Sequence, residues 1–401
     1  MGNGENGKTL TYDWYEKEDD EYEDDDSSIK QYDITAVPND FNVRTIFDFI
    51  EAGRVKIPGF QRNYVWDLIR ASKLIESLII GLPIPQIFLF ERTRNEYLVI
   101  DGQQRLMTLY YFIKQRFPQM DKRAHLRTIY VEKGNIPNEL LYNEEYFTNF
   151  NLALPSKLPN SENIYNNKNY STLGGENSEF AYRTIRNVVI RQNQPVGDDD
   201  SSIYEIFNRL NSGGINLTPQ EIRISLYHSN FYDALYKLNI NEQWRRLIGL
   251  PEPDIHMKDI EFILRGFALL MEGDDYSPSM TRFLNKYSKN CRQLKDSMIS
   301  YLQSLFDSFM NACEHLSVKA FFGKNNKFNI SIYESVFVTI CSVHSKKLSL
   351  VDNHINPEHL QKLKEDSKFI EASRLKTTSK ANVNTRLRRA KEFLINEEES
   401  L

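Results

Sequence analysis

The residues of this chain best suited to chemistry stand together in Val99-Ile100-Asp101-Gly102-Gln103-Gln104-Arg105-Leu106. An apolar strand-like run turns at Asp-Gly into a stretch that reads as a helix from Gln103 to Phe112. The free backbone N–H groups and the positive dipole end at a helix start make an anion site. Gly102 lets the backbone approach a ligand closely, and Arg105 supplies a planar, permanently charged fork suited to phosphate. Gln103 and Gln104 offer donors and acceptors that can orient phosphate oxygens, a water or a base edge. Asp101 can hold a divalent cation or cap the helix. A polar turn with a capping Asp and a surface Arg accounts for the same residues, so the pentapeptide alone does not decide.

Two further clusters carry polar groups at positions where a ligand can be met. Phe60-Gln61-Arg62-Asn63-Tyr64-Val65-Trp66-Asp67 sets Gln61 and Arg62 in an aromatic frame, and packed neighbours give polar side chains a fixed direction. The aromatic residues also serve simply as anchors to the core. Ile206-Phe207-Asn208-Arg209-Leu210-Asn211-Ser212-Gly213-Gly214 reads by default as a helix end. Asn208, Arg209 and Asn211 can still face a ligand.

The elements that must position these clusters follow from capping and periodicity. Asn42 caps a short helix carrying Val43, Ile46, Phe47 and Ile50, ended by Gly53. A second helix carries Leu68, Ala71, Ile75, Leu78 and Ile79 and stops at Gly81. Gln86–Phe90 and Tyr97–Ile100 read as a hairpin or neighbouring strands, Val188–Ile190 as a strand. Residues 114–182 read as a loop-rich insertion, with asparagines clustered before Gly174-Gly175. Ser202 with Glu205, and Thr218-Pro219-Gln220-Glu221, are helix starts. From about 255 onward the apolar stripes are helical, among them Ile260, Ile263, Leu264 and Phe267, and Val336, Phe337 and Ile340. The expected fold class is α+β followed by an all-α domain: an acidic tail over 1–32, a first domain over 33–236 and helices over 237–401. No internal repeat is evident.

Composition sets the outer limits. The chain has 401 residues, long for one core and comfortable for two. No apolar run approaches bilayer length and the first residues lack a signal-peptide pattern, so the expectation is a cytoplasmic protein without a membrane partner. The three cysteines share no close spacing, which argues against a zinc ribbon or a disulfide scaffold. The net charge of −5 is unevenly spread: residues 13–28 hold ten acidic side chains against Lys17 alone. Such a run repels itself and is expected to be disordered. The remainder is net positive, which permits an anionic partner.

Taken in order, the segments Ile-Pro-Gly-Phe-Gln-Arg-Asn-Tyr-Val-Trp-Asp, Gly-Leu-Pro-Ile-Pro, Ile-Asp-Gly-Gln-Gln-Arg-Leu and Ile-Phe-Asn-Arg-Leu-Asn-Ser-Gly-Gly…Leu-Thr-Pro-Gln-Glu-Ile-Arg closely resemble the N-terminal domain of GmrSD-type modification-dependent restriction enzymes. That domain also occurs in the phosphorothioate-sensing defence protein SspE. The resemblance runs from about Asp33 to Tyr236. It implies a ParB/sulfiredoxin-like α+β unit, with nucleoside triphosphate binding and hydrolysis at the Asp-Gly-Gln-Gln-Arg motif and a role in antiphage restriction. Carried over, Asp101, Gln103, Gln104 and Arg105 become catalytic, with Mg²⁺ or another divalent cation at Asp101. Gln61, Arg62, Gly102, Arg105, Asn208 and Asn211 become nucleotide-binding. Phosphoryl transfer at such a site rests on positioning and charge neutralisation. The alternatives are a ParB-like DNA endonuclease using the same pocket, and a non-catalytic nucleotide- or DNA-binding regulatory module.

One departure from the full restriction enzymes is the missing HNH nuclease arrangement. The sole local candidate, Asp352-Asn353-His354-Ile355-Asn356-Pro357-Glu358-His359, reads as a polar loop running into a helix, and the seven histidines show no other ligand spacing. A separate nuclease subunit is therefore an expected partner, with self-association open. Residues 372–391 hold seven basic side chains and no acid, so Arg386, Arg388 and Arg389 are the candidates for DNA contact. A solvated helix face explains such a run as readily.

Overall fold

The computed structural model describes residues 14–17, 34–56, 64–155 (apart from 124, 127–128 and 130–135), 162–192 and 206–395 (apart from 208, 211–217 and 255). The chain divides into two units. One spans 27–226. The other takes 227–401 together with the N-terminal stretch 1–26.

The first unit is built on a five-stranded sheet in the order β1-β7-β3-β4-β2, with β1 Ile34–Asn42, β2 Val55–Lys56, β3 Ile87–Thr93, β4 Glu96–Asp101 and β7 Thr184–Gln192. β1 runs antiparallel to β7, β7 parallel to β3, β3 antiparallel to β4, and β4 parallel to β2. The expected hairpin is thus the β3–β4 pair. β1 escapes a hydrophobic-alternation reading because Pro38 interrupts it and most of its side chains are exposed. An edge strand tolerates both.

Helices α1 Val43–Glu51, α2 Leu68–Ile79 and α3 Gln103–Lys114 lie where capping and periodicity place them. Asn42 accepts from the Thr45 N–H at 2.7 Å, and Asp67 accepts from Arg70 N–H at 2.6 Å. Their apolar faces share one core with the sheet, including Ile46, Ile75, Leu78, Val99, Leu106 and Phe112.

The insertion adds α4 Asn138–Leu141, α5 Glu176–Tyr182 and a small ladder of β5 Arg116–Pro118 with β6 Phe147–Asn149. It is not merely looped out. Phe147, Phe150, Leu152 and Leu154 are buried in the same core, and Phe150 meets Phe112 and Phe117 edge-on at 5.3 and 5.0 Å. Aromatic residues scattered among asparagines have no period, so sequence pattern does not reveal this packing.

Thr218 and Glu221 form a reciprocal capping box at the start of α6 Pro219–Tyr227: the Thr218 N–H donates to Glu221 Oε2 at 2.7 Å, and the Glu221 N–H to Thr218 Oγ1 at 3.3 Å. The division between units falls at 226/227, ten residues before the boundary expected from sequence, because Tyr227 onward packs with the later helices.

The second unit is helical: α7 Asn230–Asn239, α8 Glu242–Ile248, α9 Lys258–Glu272, α10 Met280–Asn290, α11 Asp296–Ala312, α12 Ile330–Ser345, α13 Pro357–Glu365, α14 Ser367–Ala372 and α15 Lys380–Leu394. Its centre joins α9, α12 and α15 through a charged group. Glu334 accepts from Arg265 at 2.5 Å and from Arg386 at 2.5 Å, and all three side chains are at most 2% exposed. None of the helices among the described residues is long and apolar enough to cross a membrane.

Residues 14–17 depart from the expectation of a disordered tail over 1–32. Trp14 and Tyr15 pack edge-on against Phe262 at 5.5 Å each. The Glu16 N–H donates to Phe328 O at 2.8 Å, and the Phe328 N–H to Trp14 O at 3.0 Å. The Glu16 carboxylate accepts from the Asn329 amide. Aromatic residues within an acidic run supply the apolar contact that charge alone denies. Trp14→Ala should therefore lower the stability of the helical unit by about 2 kcal/mol, below the full core cost because the ring is only half-buried. An unchanged urea midpoint would show that the segment contributes nothing.

Candidate functional site

The sheet and α3 meet at one sharp turn. β4 ends at Asp101, Gly102 turns the chain with φ +98°, and α3 begins at Gln103. Only glycine is at ease there. A Cβ on Gly102 would also overlap Ile87 Cγ2 and lie 3.2 Å from the Arg105 guanidinium.

Because Gly102 has no side chain to cap the helix, the first-turn N–H groups of α3 receive no side-chain acceptor from it. Those groups and the helix dipole favour an anion at this end.

Arg105 and Asp101 are brought together, one helical turn apart. The guanidinium donates to Asp101 Oδ2 at 2.6 Å and to Gln86 O at 3.3 Å through the same Nη2. The Arg105 side chain is 13% exposed and that of Asp101 38%. The pairing fixes the fork at the end of the sheet where β3 begins and β4 stops, and leaves Asp101 partly open to solvent.

Gln103 and Gln104 take up different positions in the first turn. Gln104 Oε1 accepts from the Val65 N–H at 3.0 Å, tying the chain just beyond the Gln61-Arg62 segment to the start of α3. The Nε2 atoms of Gln103 and Gln104 are both shut off from solvent and have no hydrogen-bond partner among the described residues. An unmet buried donor costs about 1–3 kcal/mol. Two on adjacent residues beside an uncapped helix start mark a place where acceptor oxygens would be welcome.

Residues 64–66 are held firmly. Tyr64 is buried and its hydroxyl shares a hydrogen bond with Thr108 Oγ1 at 2.7 Å, while burial pushes its pKa up. Arg123, itself buried, donates to Tyr64 O at 2.5 Å and Trp66 O at 3.1 Å, and its guanidinium stands 5.1 Å from the Tyr64 ring centre. Burial lowers its pKa. Tyr64 is thus an anchor, as the plainer reading of the aromatic frame has it. Arg123 lies in the insertion with nothing in its neighbours to announce a role, and sequence reasoning missed it.

Gln61, Arg62, Asn208 and Asn211 lie outside the described residues. Asp101, Gly102, Gln103, Gln104 and Arg105 are therefore the part of the expected nucleotide site that the structure places.

The expected DNA-binding strip needs correction. Arg386 is fully buried: besides Glu334 it donates to Ala372 O at 2.8 Å and Thr377 O at 2.7 Å. It is a core residue and reaches no surface ligand. Arg389 is tied to Asp366 at 2.6 Å and to Glu392, and Arg388 pairs with Glu392 at 3.0 Å. The strip is therefore partly neutralised by its own helix and by the start of α14.

The cysteines offer no nucleophile. Cys291, Cys313 and Cys341 are buried and unbridged, and burial pushes all three thiols up, Cys291 to about 12.

Residues 43–228 match the family described as GmrSD restriction endonuclease, N-terminal domain. No curated protein and no solved structure matches the chain. The match starts at the first residue of α1 and ends one residue beyond α6, so it takes in β3, β4, the Asp-Gly turn and α3. Over residues 43–228, a little under half of the chain, the sequence is thus similar to the N-terminal domain of the GmrSD restriction endonuclease family.

Proposed function

We propose that the protein binds a nucleoside triphosphate at the Asp101–Arg105 turn and hydrolyses it with a divalent cation, as the sensor or regulatory component of a DNA-restriction or defence system. The observation that carries the reading is the pair of unmet, buried Gln103 and Gln104 amides at the uncapped start of α3, beside the fixed Arg105 fork. The family match supports the restriction or defence setting.

In this reading the phosphates accept from the first-turn N–H groups, the two glutamine amides and the remaining N–H groups of Arg105. Only Nη2 of that fork is used by Asp101 and Gln86. Gln104 is shared: its oxygen fixes Val65 while its amide faces the ligand. Arg62 stands three residues before Val65, and three residues of chain reach about 10 Å at most, so its guanidinium has the length to join the site.

Asp101 fits a Mg²⁺ ion, which typically takes one or two carboxylates and completes its shell with waters and phosphate oxygens. The ion would supply charge neutralisation on the transferring phosphoryl group. With Oδ2 held by Arg105, the other oxygen of Asp101 would either bind the ion or orient the attacking water, and Arg105 would hold the phosphates while keeping Asp101 in place.

The test is phosphate release from each of the four NTPs with Mg²⁺, with and without DNA, alongside calorimetric binding. Arg105→Ala should weaken NTP binding about 10–100-fold, the worth of a charge-assisted hydrogen bond. Asp101→Ala should keep binding and lose release. If no NTP binds the native chain, the reading fails. Binding without release would instead favour nucleotide as a conformational ligand, which the Asp101–Arg105 ion pair also allows.

A further inference from the structure

We infer that Glu314, His315 and His354 form a site for a divalent transition-metal ion of the zinc class. These residues are on the helical unit, apart from the Asp101–Arg105 turn. One donor atom from each lies within 4.8 Å of the other two, and the imidazole centres of His315 and His354 are 4.3 Å apart.

The backbone under the three side chains is tightly fixed. Glu314 and His315 sit in the turn that follows α11, where the Glu314 N–H donates to Asn311 O and the Leu316 N–H to Cys313 O, each at 3.0 Å. The Arg246 guanidinium donates to the carbonyls of Leu316 at 2.9 Å and Cys313 at 3.2 Å. His354 comes from the segment before α13, pinned because the buried Ile355 donates its N–H to Ala312 O at 2.9 Å. Asn356 then caps α13 through the Glu358 N–H at 2.8 Å. Two stretches forty residues apart are thus docked side by side, and the three donors project from rigid ground into solvent.

The donor chemistry selects the ion. Two imidazoles and one carboxylate suit zinc and its neighbours, whereas Mg²⁺ and Ca²⁺ prefer oxygen donors alone. Bonds of about 2.1 Å in a tetrahedral shell put ligand atoms about 3.4 Å apart. The observed spread needs only a small rotation of exposed side chains. Three protein ligands leave a position for water. His354, from the Asp352–His359 stretch that reads in sequence as a polar loop running into a helix, acquires two partners by folding. The ion would clamp the end of α11 to the entry of α13.

The test uses the full chain, stripped with chelator and titrated with Zn²⁺ by calorimetry and with Co²⁺ by visible absorption. One ion per chain and a Co²⁺ band typical of low coordination are expected, together with a raised melting temperature on adding Zn²⁺. His315→Ala and His354→Ala should each weaken binding by at least the about 10–100-fold that loss of an outer partner costs, and should erase the band. His354→Gln repeats the reading should the alanine variant melt early, and His228→Ala, remote in sequence and paired with Asp233, should leave binding unchanged. Absence of Zn²⁺ binding overturns the inference. So does binding that survives both histidine variants, which would place the ion elsewhere, for example on the acidic run of residues 18–26.

Discussion

Glu334→Gln is expected to cost the helical unit about 3–5 kcal/mol or more, a large part of an ordinary domain's 5–15 kcal/mol. The carboxylate is the shared counter-charge of two buried guanidinium groups, Arg265 on α9 and Arg386 on α15. Glutamine preserves the shape and leaves both cations uncompensated in a site closed to water. Urea unfolding followed by circular dichroism measures the loss, and a midpoint close to that of the native chain would show that the group is not an ion-paired core. Replacing all three residues by apolar ones of similar volume tests the sign of the whole group, since an intact buried ion cluster is often no more stable than its apolar substitute. Here the recovery should be partial. Arg386 also satisfies the carbonyls of Ala372 and Thr377, and each orphaned carbonyl costs about 1–3 kcal/mol.

The second large effect is expected at Gly102. Gly102→Ala forces an L-residue to φ +98° and drives its methyl group into Ile87. Left-handed strain of about 1–2 kcal/mol and overpacking of about 1–3 kcal/mol add to a loss of about 2–5 kcal/mol. Gly53 provides the internal comparison: its φ is +67° and a Cβ there meets nothing within 4 Å, so Gly53→Ala should show the conformational part alone. Equal melting temperatures for the two variants would mean that the Ile87 contact yields freely. Under the proposed nucleotide reading, Gly102→Ala should also lose NTP binding at temperatures where it remains folded, because a shifted turn moves the helix start and the Arg105 fork together.

The parts of the fold that announce themselves in sequence are those where one residue's local chemistry suffices. Asn42 and the Thr218–Glu221 pair mark helix starts because a side-chain oxygen must meet a free N–H within three residues. The β3–β4 hairpin and α3 follow from short apolar runs broken at Arg94–Asn95 and Asp101-Gly102. Long-range partnerships leave no such mark. β1 is an exposed edge whose ladder with β7 lies some 150 residues along the chain. Arg386 looks like its surface neighbours Arg388 and Arg389 until α9 and α12 close over it. The candidate site is legible in the same proportion. The Asp-Gly-Gln-Gln-Arg turn is local and was readable, whereas the Arg105–Gln86 and Arg123–Tyr64 contacts that stiffen it depend on chain segments brought together by folding.

The docked Trp14–Lys17 segment has a topological consequence. Because it belongs with the helices while Ile34 onward belongs with the sheet, the chain changes unit twice, once between Lys17 and Ile34 and once at 226/227. A break in the chain between Lys17 and Ile34 would leave the link at 226/227 intact and the Trp14–Lys17 segment held on Phe262 and Phe328 by contacts alone, so a nicked sample would migrate as one species until denatured.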